Sequence, residues 1–345
     1  MNIVVLCGGL SNEREVSISS GTCVMNALRK KGHNAVLVDL FMGINEPFFG
    51  AQEFFSRPWK ESRHSVSEIE PDLERVKAMR HTGDDRLIGP HVLEVCRSAD
   101  ITFFALHGEE GENGKLQALF DIEGIKYTGS GYLGSAVAMN KYLTKQLLVA
   151  HDMGTANGII LEKQYDTFPS IGFPCVVKPC SGGSSVGTSI VYCEEDYAEA
   201  LYQAFQYEDK VLVEEYVKGR EFTVGVMGGK AMPVIEIIPK DGFYDYKNKY
   251  QGGRTIELCP APISREQTKA LQNDAVKIAK LLLIDVYCRV DFILTESNEL
   301  YCLEANTLPG MTATSLIPQM AAAQGMDFGE LCEKIIEESL KKHQH

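Results

Sequence analysis

The first forty residues restrict the fold more than any other part of the chain. Residues 2–7 form an apolar run that ends at a Gly-Gly pair, residues 11–31 have the apolar spacing of a helix, and residues 35–40 form a second apolar run. Two buried strands joined by a helix form a βαβ unit, in which the strands are parallel. A further apolar run at 100–106 is predicted to be another buried strand. The chain is therefore predicted to begin with an α/β domain.

Further along, apolar runs come in pairs that flank short polar segments. Residues 174–178 and 188–192 flank a Gly/Ser loop, and residues 286–294 and 300–305 are predicted to pair as strands across TESNE. REFTVGVMGG and KAMPVIEIIP together have the pattern of a hairpin. The other predicted elements are helices at 141–151, 194–208, 264–283 and 327–342, with irregular segments at 45–90 and 242–254.

Length and composition exclude several classes of protein. A chain of 345 residues is long enough for two or three domains. The 34 basic and 47 acidic residues give a formal net charge of -13, which disfavours binding to nucleic acid or to an anionic membrane. The N-terminal apolar run is too short for a signal peptide, and no apolar stretch approaches the ~20 residues of a spanning helix. The ten cysteines form no CxxC pair, which favours reduced core thiols over a zinc site or a disulfide framework.

The loop between Lys178 and Gly187 has the composition of an anion-binding site. Its glycines let backbone N–H groups approach an anion closely, its serines add donors, and Lys178 precedes it on a predicted strand. The loop does not fit the GxxxxGK[ST] phosphate-binding pattern. A plain flexible loop of the same composition is the alternative interpretation.

Alternating polar residues at 289–306 indicate a second candidate site. Glu304 and Asn306 are two residues apart on a predicted strand and share a face, and pairing of the two strands brings Asp291 opposite them. Arg289 is two residues before Asp291 and is expected to point into the same site. Two carboxylates and an amide oxygen are hard ligands that suit Mg²⁺ bound to nucleotide phosphates. A polar strand face paired across a hairpin is the alternative.

Two further segments are rich in hydrogen-bond donors. HGEEGENG at 107–114 opens a helix, whose N-terminal N–H groups can face an anion. TLPGMTATSLIP at 307–318 supplies Gly310 and a helix start near Ser315, which suit a carboxylate or an oxyanion. Glu15, near the start of the first helix, is a candidate for binding a substrate ammonium. For the two segments, the alternative is a turn followed by a helix cap. For Glu15, the alternative is a carboxylate that only stabilises the helix N-terminus.

These segments, in this order, resemble the D-alanine–D-alanine ligase family of the ATP-grasp superfamily over nearly the whole chain. The matching motifs are GGLSNEREVS, HGEEGENG, YTGSG, VVKPCSGGSSVG, VEEYVKGREFTVGV, YDYKNKY and CRVDFILTESNELYCLEANTLPGMTATSLIP. The resemblance implies an α/β ATP-grasp fold of three α/β domains, the first of them Rossmann-like. The expected domains are a substrate domain at 1–135, a central domain at 136–210 and a catalytic domain at 211–345.

The resemblance implies that ATP binds between the second and third domains with two Mg²⁺ ions, which Mn²⁺ can replace. Glu214 is expected near the adenine amino group, the backbone amide of Val217 at the adenine, and Glu221 at the ribose. The implied phosphate contacts are Lys141, Lys178 and Ser185, and the implied metal ligands are Asp291, Glu304 and Asn306.

Residues for two D-alanine molecules are implied in the same way. Glu15 is expected to hold the first ammonium through a network with Ser184 and Tyr250, and His107 is expected beside the first substrate. The other implied contacts are Arg289 and Gly310 at a tetrahedral oxyanion, Ser315 and Leu316 at the second carboxylate, and Lys249 in a mobile lid at 242–254.

The implied reaction has two steps. The first D-alanine carboxylate attacks the γ-phosphate of ATP to give an acyl phosphate, and the second D-alanine amine attacks that intermediate. The Lys249–Tyr250 pair favours D-alanine as the acceptor, with D-serine or D-lactate as alternatives. A nucleotide-binding regulatory protein without turnover is the rival from another class, and it would be expected to lack Arg289 or a metal ligand. The resemblance also leads us to expect a cytoplasmic homodimer that serves peptidoglycan synthesis.

Four positions depart from the family pattern. Asn113 and Asn140 stand where Asp is usual, which removes negative charge near the substrate and phosphate loops. Cys180 stands where Ser or Ala is more frequent, and Cys288 where Gly or Ser is common. None of the four removes an implied ligand, so we expect the kinetic constants to differ from those of the family, and the effect on acceptor choice stays open.

Overall fold

The computed structural model describes residues 1–44, 47–58, 60–66, 71–80, 83, 86–162, 171–183, 185–240, 254–312 and 314–344. The N-terminal sheet has three parallel strands in the order β2-β1-β3, which confirms the βαβ prediction. Its strands and the helix that joins the first two are β1 (Asn2–Cys7), α1 (Arg14–Lys30), β2 (Asn34–Asp39) and β3 (Ile101–Phe104). The helices that follow in this part are α2 (Ala51–Ser56), α3 (Leu73–Ala78), α4 (Val92–Ser98), α5 (Glu109–Glu112), α6 (Lys115–Ile122) and α7 (Tyr132–Met139).

A four-stranded antiparallel sheet with the order β4-β7-β5-β6 follows. Its elements are α8 (Lys141–Ala150), β4 (Gly158–Glu162), β5 (Cys175–Pro179), β6 (Ser189–Val191), α9 (Glu194–Ala204) and β7 (Lys210–Glu215). The apolar side of α9 packs on this sheet, where Tyr197, Val177 and Val213 are buried together. The opposite face of the sheet is therefore left for the cleft.

The third sheet has five antiparallel strands in the order β10-β9-β8-β11-β12. Its strands are β8 (Arg220–Met227), β9 (Lys230–Pro239), β10 (Thr255–Leu258), β11 (Tyr287–Leu294) and β12 (Leu300–Asn306), and α10 (Arg265–Leu281) packs on one face. Val290 and Phe292 are buried against α10. Because side chains alternate along a strand, Arg289 and Asp291 lie on the other face.

The C-terminal helices return to the N-terminal sheet. After α11 (Leu316–Ala323), α12 (Phe328–Lys342) packs along α1, and Leu28 and Ile335 belong to one buried core. A capping box between Asp327 and Glu330 begins α12, and Lys31 contacts Asp327 at 3.0 Å. The first and last parts of the chain therefore share a core beside the cleft.

Some elements differ from their predicted bounds. The segment at 45–90, predicted to be irregular, contains α2 and α3 among its described residues. β7, which begins at the expected domain boundary at 210, pairs with β4 and β5 of the four-stranded sheet. The predicted helix at 194–208 ends at Ala204. Of the predicted lid at 242–254, only Arg254 lies within the described residues. No helix in the described ranges is both long and apolar enough to cross a membrane.

Gly21 of α1 allows close contact between this helix and the N-terminal sheet. A Cβ at position 21 would lie 2.8 Å from the Cβ of Cys7 and 2.9 Å from Cδ1 of Leu37. We expect Gly21→Ala to destabilise the protein by about 1–2 kcal/mol, because overpacking outweighs the better helix propensity of alanine. Urea unfolding measures this, with the exposed Lys30→Ala as the control on the same helix. Greater stability of Gly21→Ala would contradict the close packing.

Candidate active site

The candidate active site is a cleft between the four-stranded and five-stranded sheets. A cavity of about 570 Å³ lies there, and its walls include Lys141, Lys178, Ser185, Glu214, Val217, Glu221, Asp291 and Glu304. A smaller cavity of about 90 Å³ adjoins it, with walls that include His107, Arg289, Asn306, Gly310, Ser315 and Leu316. Both cavities are lined by Lys141 and Glu304, so they form one continuous site. Three of the predicted residues, Ser184, Lys249 and Tyr250, lie outside the described residues.

The pairing of β11 with β12 builds the carboxylate cluster. Asp291 is directly opposite Glu304, and Arg289 is opposite Asn306, as the alternation predicted. Asp291 accepts hydrogen bonds from Arg289 Nε at 2.9 Å and Arg289 Nη2 at 2.8 Å, and from Asn306 Nδ2 at 3.1 Å. Thr223 Oγ1 of β8, which the sequence did not suggest, donates to Asp291 at 2.6 Å. The Asp291 carboxylate is therefore compensated by neighbouring protein donors.

Glu214 on β7 lies between two lysines. Lys178 of β5 contacts Oε1, and Lys145 of α8 lies 2.7 Å from Oε2. Burial by itself raises the pKa of Glu214, but the two ammonium groups outweigh it and the pKa is lowered. Lys145 was not predicted as a site residue, because a lysine in the middle of an amphipathic helix normally points to solvent.

Lys141 connects the two cavities. It is the first residue of α8, and Asn140 caps that helix by accepting the Leu143 N–H at 2.9 Å. The Lys141 ammonium lies 3.3 Å from Glu304 Oε2 and also donates to the carbonyl of Gly182. Asn140 retains the N-cap although it carries no charge, so this departure from the family pattern leaves Lys141 at the start of the helix.

His107 is buried in a chain of hydrogen bonds at the wall of the smaller cavity. Its Nδ1 is 2.9 Å from the Leu308 carbonyl, so Nδ1 carries the proton, and its Nε2 is 3.0 Å from Ser20 Oγ. Ser20 Oγ also accepts the Met311 N–H at 3.2 Å. Burial lowers the pKa of His107, which favours the neutral ring that this chain requires. His107 therefore joins α1 to the segment after β12.

The structure places Glu15 away from the walls of the two cavities. Its Oε2 lies 2.6 Å from His64 Nε2, and Glu15 is not among the residues that line the two cavities. Glu13 lines the smaller cavity instead, where a Cβ at Gly108 or Gly183 would lie 2.9 Å from its Oε2. The reason is that α1 begins at Arg14, with Glu13 as the N-cap residue. The N-cap carboxylate therefore points into the cleft, and the first-turn carboxylate points away.

Glu112 is a second carboxylate that sequence reasoning missed. It lines the smaller cavity, and its Oε1 accepts the Gly108 N–H at 2.9 Å. Burial, and secondarily the charge of Glu13, raises the pKa of Glu112 from 4.5 to about 7. The HGEEGENG motif was the available signal, but the sequence did not show which of its glutamates is buried.

The far wall of the smaller cavity consists of the turn that precedes α11. Ser315 is the N-cap residue of α11 and Leu316 its first residue. Ser315 Oγ accepts the Thr312 N–H at 2.9 Å, and a Cβ at Gly310 would lie 2.8 Å from this oxygen. The first N–H groups of a helix attract anions, so this wall suits a carboxylate.

The donor set at β11 and β12 suits a hard cation. Among the described residues, no group of three or more His, Cys, Asp and Glu side chains has the geometry of a metal site. Asp291, Glu304 and Asn306 instead combine two carboxylates with an amide. Asp291 binds Arg289, Glu304 lies beside Lys141, and the Asn306 amide donates to Asp291. Such a set suits Mg²⁺ that keeps further ligands from water or phosphate oxygens.

Comparison with known proteins agrees with this geometry. Residues 2–130 match the family described as "D-ala D-ala ligase N-terminus", and residues 150–337 match "D-ala D-ala ligase C-terminus". The chain is 43% identical to a D-alanine--D-alanine ligase of Pediococcus pentosaceus over 340 residues, which is 97% of both chains. It is 42% identical to a D-alanine--D-alanine ligase of Lacticaseibacillus casei, over 99% of this chain and 96% of that one.

The fold also matches a solved structure. The crystal structure of D-alanine--D-alanine ligase from Bacillus anthracis complexed with ATP aligns with a TM-score of 0.75 and 30% sequence identity. The alignment covers 100% of this chain and 99% of that one. The α/β ATP-grasp fold expected from the sequence is thus confirmed.

The buried Glu112 predicts a specific pH dependence of stability. The pKa of Glu112 is higher in the folded protein than in the unfolded chain, where it is near 4.5. The free energy of unfolding of the protein therefore falls as the pH increases from 4.5 to about 7. At 1.36 kcal/mol per pKa unit, this loss is about 3 kcal/mol. Glu112→Gln lacks this titration, so its free energy of unfolding should gain about 3 kcal/mol relative to the unmodified protein between pH 4.5 and pH 8.

Urea unfolding at the two pH values tests this prediction. Glu74→Gln, at an exposed position of α3, is the control and should show no comparable change with pH. An equal pH dependence for Glu112→Gln and the unmodified protein would contradict the assignment.

Proposed function

The chain belongs to the D-alanine–D-alanine ligase family of ATP-dependent, peptide-bond-forming ligases, and from this premise we propose that it joins two D-alanine molecules. The observation that carries the proposal is the continuity of the two cavities. Lysines and carboxylates suited to ATP line the larger one, and Glu13, Arg289 and the start of α11 line the smaller one. A nucleotide and two small zwitterions can therefore meet at Lys141 and Glu304.

We propose that ATP occupies the larger cavity with Mg²⁺ or Mn²⁺. Glu214, Val217 and Glu221 are assigned to the adenine and ribose. The phosphates are assigned to Lys141, Lys178 and Ser185, and the metal ions to Asp291, Glu304 and Asn306. When bound, the ions supply neutralisation of the charge on the phosphate oxygens.

Binding of these ligands requires an exchange of partners in the cleft. Arg289 neutralises Asp291 through two hydrogen bonds, and Lys141 is close to Glu304. Asp291 and Glu304 would hold the metal cation, which would supply the counter-charge that Arg289 and Lys141 now provide. Arg289 can then turn towards a developing oxyanion, and Lys141 towards phosphate oxygens, without either carboxylate losing its counter-charge.

In the first step, an oxygen of the first D-alanine carboxylate forms a bond to the γ-phosphorus, and ADP leaves. We assign the ammonium of this D-alanine to Glu13 in place of Glu15, since Glu13 is the acidic residue of α1's start that lines the cavity. His107 is assigned to positioning, because its two ring nitrogens already bind Ser20 and Leu308.

In the second step, the neutral amine nitrogen of the second D-alanine forms a bond to the acyl carbon, the bond from that carbon to the phosphate oxygen breaks, and the leaving phosphate takes up the proton that the nitrogen gives up. Arg289 and the Gly310 amide are assigned to the oxyanion of the tetrahedral intermediate. Ser315 and the Leu316 amide are assigned to the carboxylate of the second D-alanine, at the N-terminus of α11. With these assignments, the incoming amine lies between the oxyanion site at Arg289 and Gly310 and the carboxylate site at Ser315 and Leu316.

Acceptor choice rests on the sequence. The Lys249–Tyr250 pair favours D-alanine, with D-serine and D-lactate as the alternatives, and we propose that both residues and Ser184 act at the first substrate. From the family resemblance we also propose a cytoplasmic homodimer that supplies the dipeptide for peptidoglycan precursors.

A product assay tests the function. The purified protein is incubated with ATP, Mg²⁺ and D-alanine, alone or mixed with D-serine or D-lactate, while phosphate release and products are followed by mass spectrometry. We expect D-Ala–D-Ala as the main product in every mixture, and none from the Glu304→Gln control. A mixed product as the main species would contradict the acceptor assignment, and no product from any mixture would contradict the function.

The choice between Glu13 and Glu15 has its own test. Glu13→Gln removes the proposed charge-assisted contact to the first ammonium, so kcat/KM for D-alanine should fall about 100-fold. Glu15→Gln, two residues away and hydrogen-bonded to His64, should stay within about threefold of the unmodified protein. The reverse order of effects would restore the assignment to Glu15.

A further inference from the structure

Lys145 is a buried cation that the protein contacts on three sides near the cleft. Its Nζ lies 2.7 Å from Glu214 Oε2, 2.9 Å from Thr155 Oγ1 and 2.8 Å from the Ala156 carbonyl. The contacts with Thr155 and Ala156 are hydrogen bonds, and the contact with Glu214 is an ion pair. Only 5% of the side chain is exposed, and it lies behind Glu214 rather than among the residues lining the two cavities. Lys145 is therefore held by the protein and not directed at a ligand.

Lys178 differs from Lys145 although both contact the same carboxylate. Lys178 lines the larger cavity, and its ammonium binds the other oxygen of Glu214. A lysine on the cavity wall can exchange this carboxylate for a phosphate oxygen when a nucleotide enters. Lys145 cannot exchange its partners for a phosphate oxygen in this way, because Glu214, Thr155 and Ala156 are fixed parts of the fold.

Departure of Lys178 has a consequence for Glu214. Glu214 is buried, and an ionised carboxylate left without a cation in such a place is strongly disfavoured. Without Lys145, Glu214 would therefore either hold Lys178 back from the phosphates or take up a proton. A protonated Glu214 would then be a weaker acceptor for an amino group of the base.

We propose that Lys145 is a positioning residue that keeps Glu214 ionised and in place, so that Lys178 is free to bind the phosphates of the nucleotide. This inference rests on the proposed use of ATP. It assigns the two lysines separate tasks: Lys178 contacts the ligand, and Lys145 acts through Glu214.

The surroundings of Lys145 are suited to a fixed role. Thr155 Oγ1 donates to the Cys302 carbonyl at 3.0 Å, which leaves its lone pairs for Lys145. Cys302 in turn donates its N–H to the Gly154 carbonyl at 2.8 Å. Since Cys302 lies on β12 with Glu304, the lysine is tied to the strand of the proposed metal site.

A double-mutant cycle on nucleotide affinity tests the proposal. The Kd of ADP is measured by calorimetry, without D-alanine, for the unmodified protein and for Lys145→Met, Glu214→Gln and the double variant. We expect Lys145→Met to raise the Kd about tenfold in the unmodified background and less than twofold in the Glu214→Gln background. Lys277→Met, an exposed position on α10, is the control and should leave the Kd unchanged.

A steady-state measurement separates positioning from a general defect. Lys145→Met should raise KM for ATP about tenfold while kcat stays within about threefold. Thermal unfolding checks that the variant is folded. If Lys145→Met does not fold, Thr155→Val removes one contact of Lys145, and it should raise the Kd of ADP about threefold in the unmodified background and not in Glu214→Gln.

Three results would overturn the proposal. The first is an unchanged Kd of ADP in Lys145→Met. The second is an equal loss of ADP affinity on Lys145→Met in the unmodified and Glu214→Gln backgrounds. The third is a fall in kcat with KM for ATP unaltered. The failure of the proposed function is distinguished by the product assay on the unmodified protein. A protein that binds ADP but forms no dipeptide would refute the ligase function, while the cycle would still decide whether Lys145 acts through Glu214.

Discussion

Buried carboxylates are the constraint on which the cleft depends. Glu214 and Asp291 are both buried where the four-stranded and five-stranded sheets meet, and an unpaired charge in such a place costs several kcal/mol. The fold compensates each with cations or donors from neighbouring strands and from α8: lysines for Glu214, and an arginine, an amide and a hydroxyl for Asp291. The proposed binding of ATP and Mg²⁺ in this cleft is therefore an exchange of counter-charges.

The sequence was sufficient for the carboxylate face because strand geometry has a fixed period. Residues two apart on a strand share a face, so Arg289 and Asp291 had to point together, and a short connection set β12 beside β11. The parallel N-terminal sheet followed from the same kind of reasoning, applied to two apolar runs separated by a helix. Where a period of two or a βαβ pattern decided the geometry, prediction and structure agree.

The start of α1 and the burial of individual side chains were beyond the sequence. A predicted start at residue 11 put Glu13 and Glu15 on the same helix, and a shift of the start to Arg14 decided which of them faces the cleft. Lys145 was missed for another reason. Its burial depends on Glu214, Thr155 and Ala156, which come from other segments, and no local pattern encodes those contacts. The expected boundary at 210 falls at the first residue of β7, whose pairing with β4 and β5 is a long-range contact that no local pattern encodes.

Long-range contacts make the substrate cavity a property of the whole chain. His107 reaches the Leu308 carbonyl across 201 positions of sequence, and Ser20 binds both His107 and the Met311 N–H. The wall that contains Gly310 and Ser315 is therefore held by α1, whose own position depends on its packing with α12. A change in the α1–α12 core would alter the distance between Glu13 and the start of α11. Since the amine and the acyl carbon must meet between these two points, the packing of the N-terminal core bears directly on the second step of the proposed reaction.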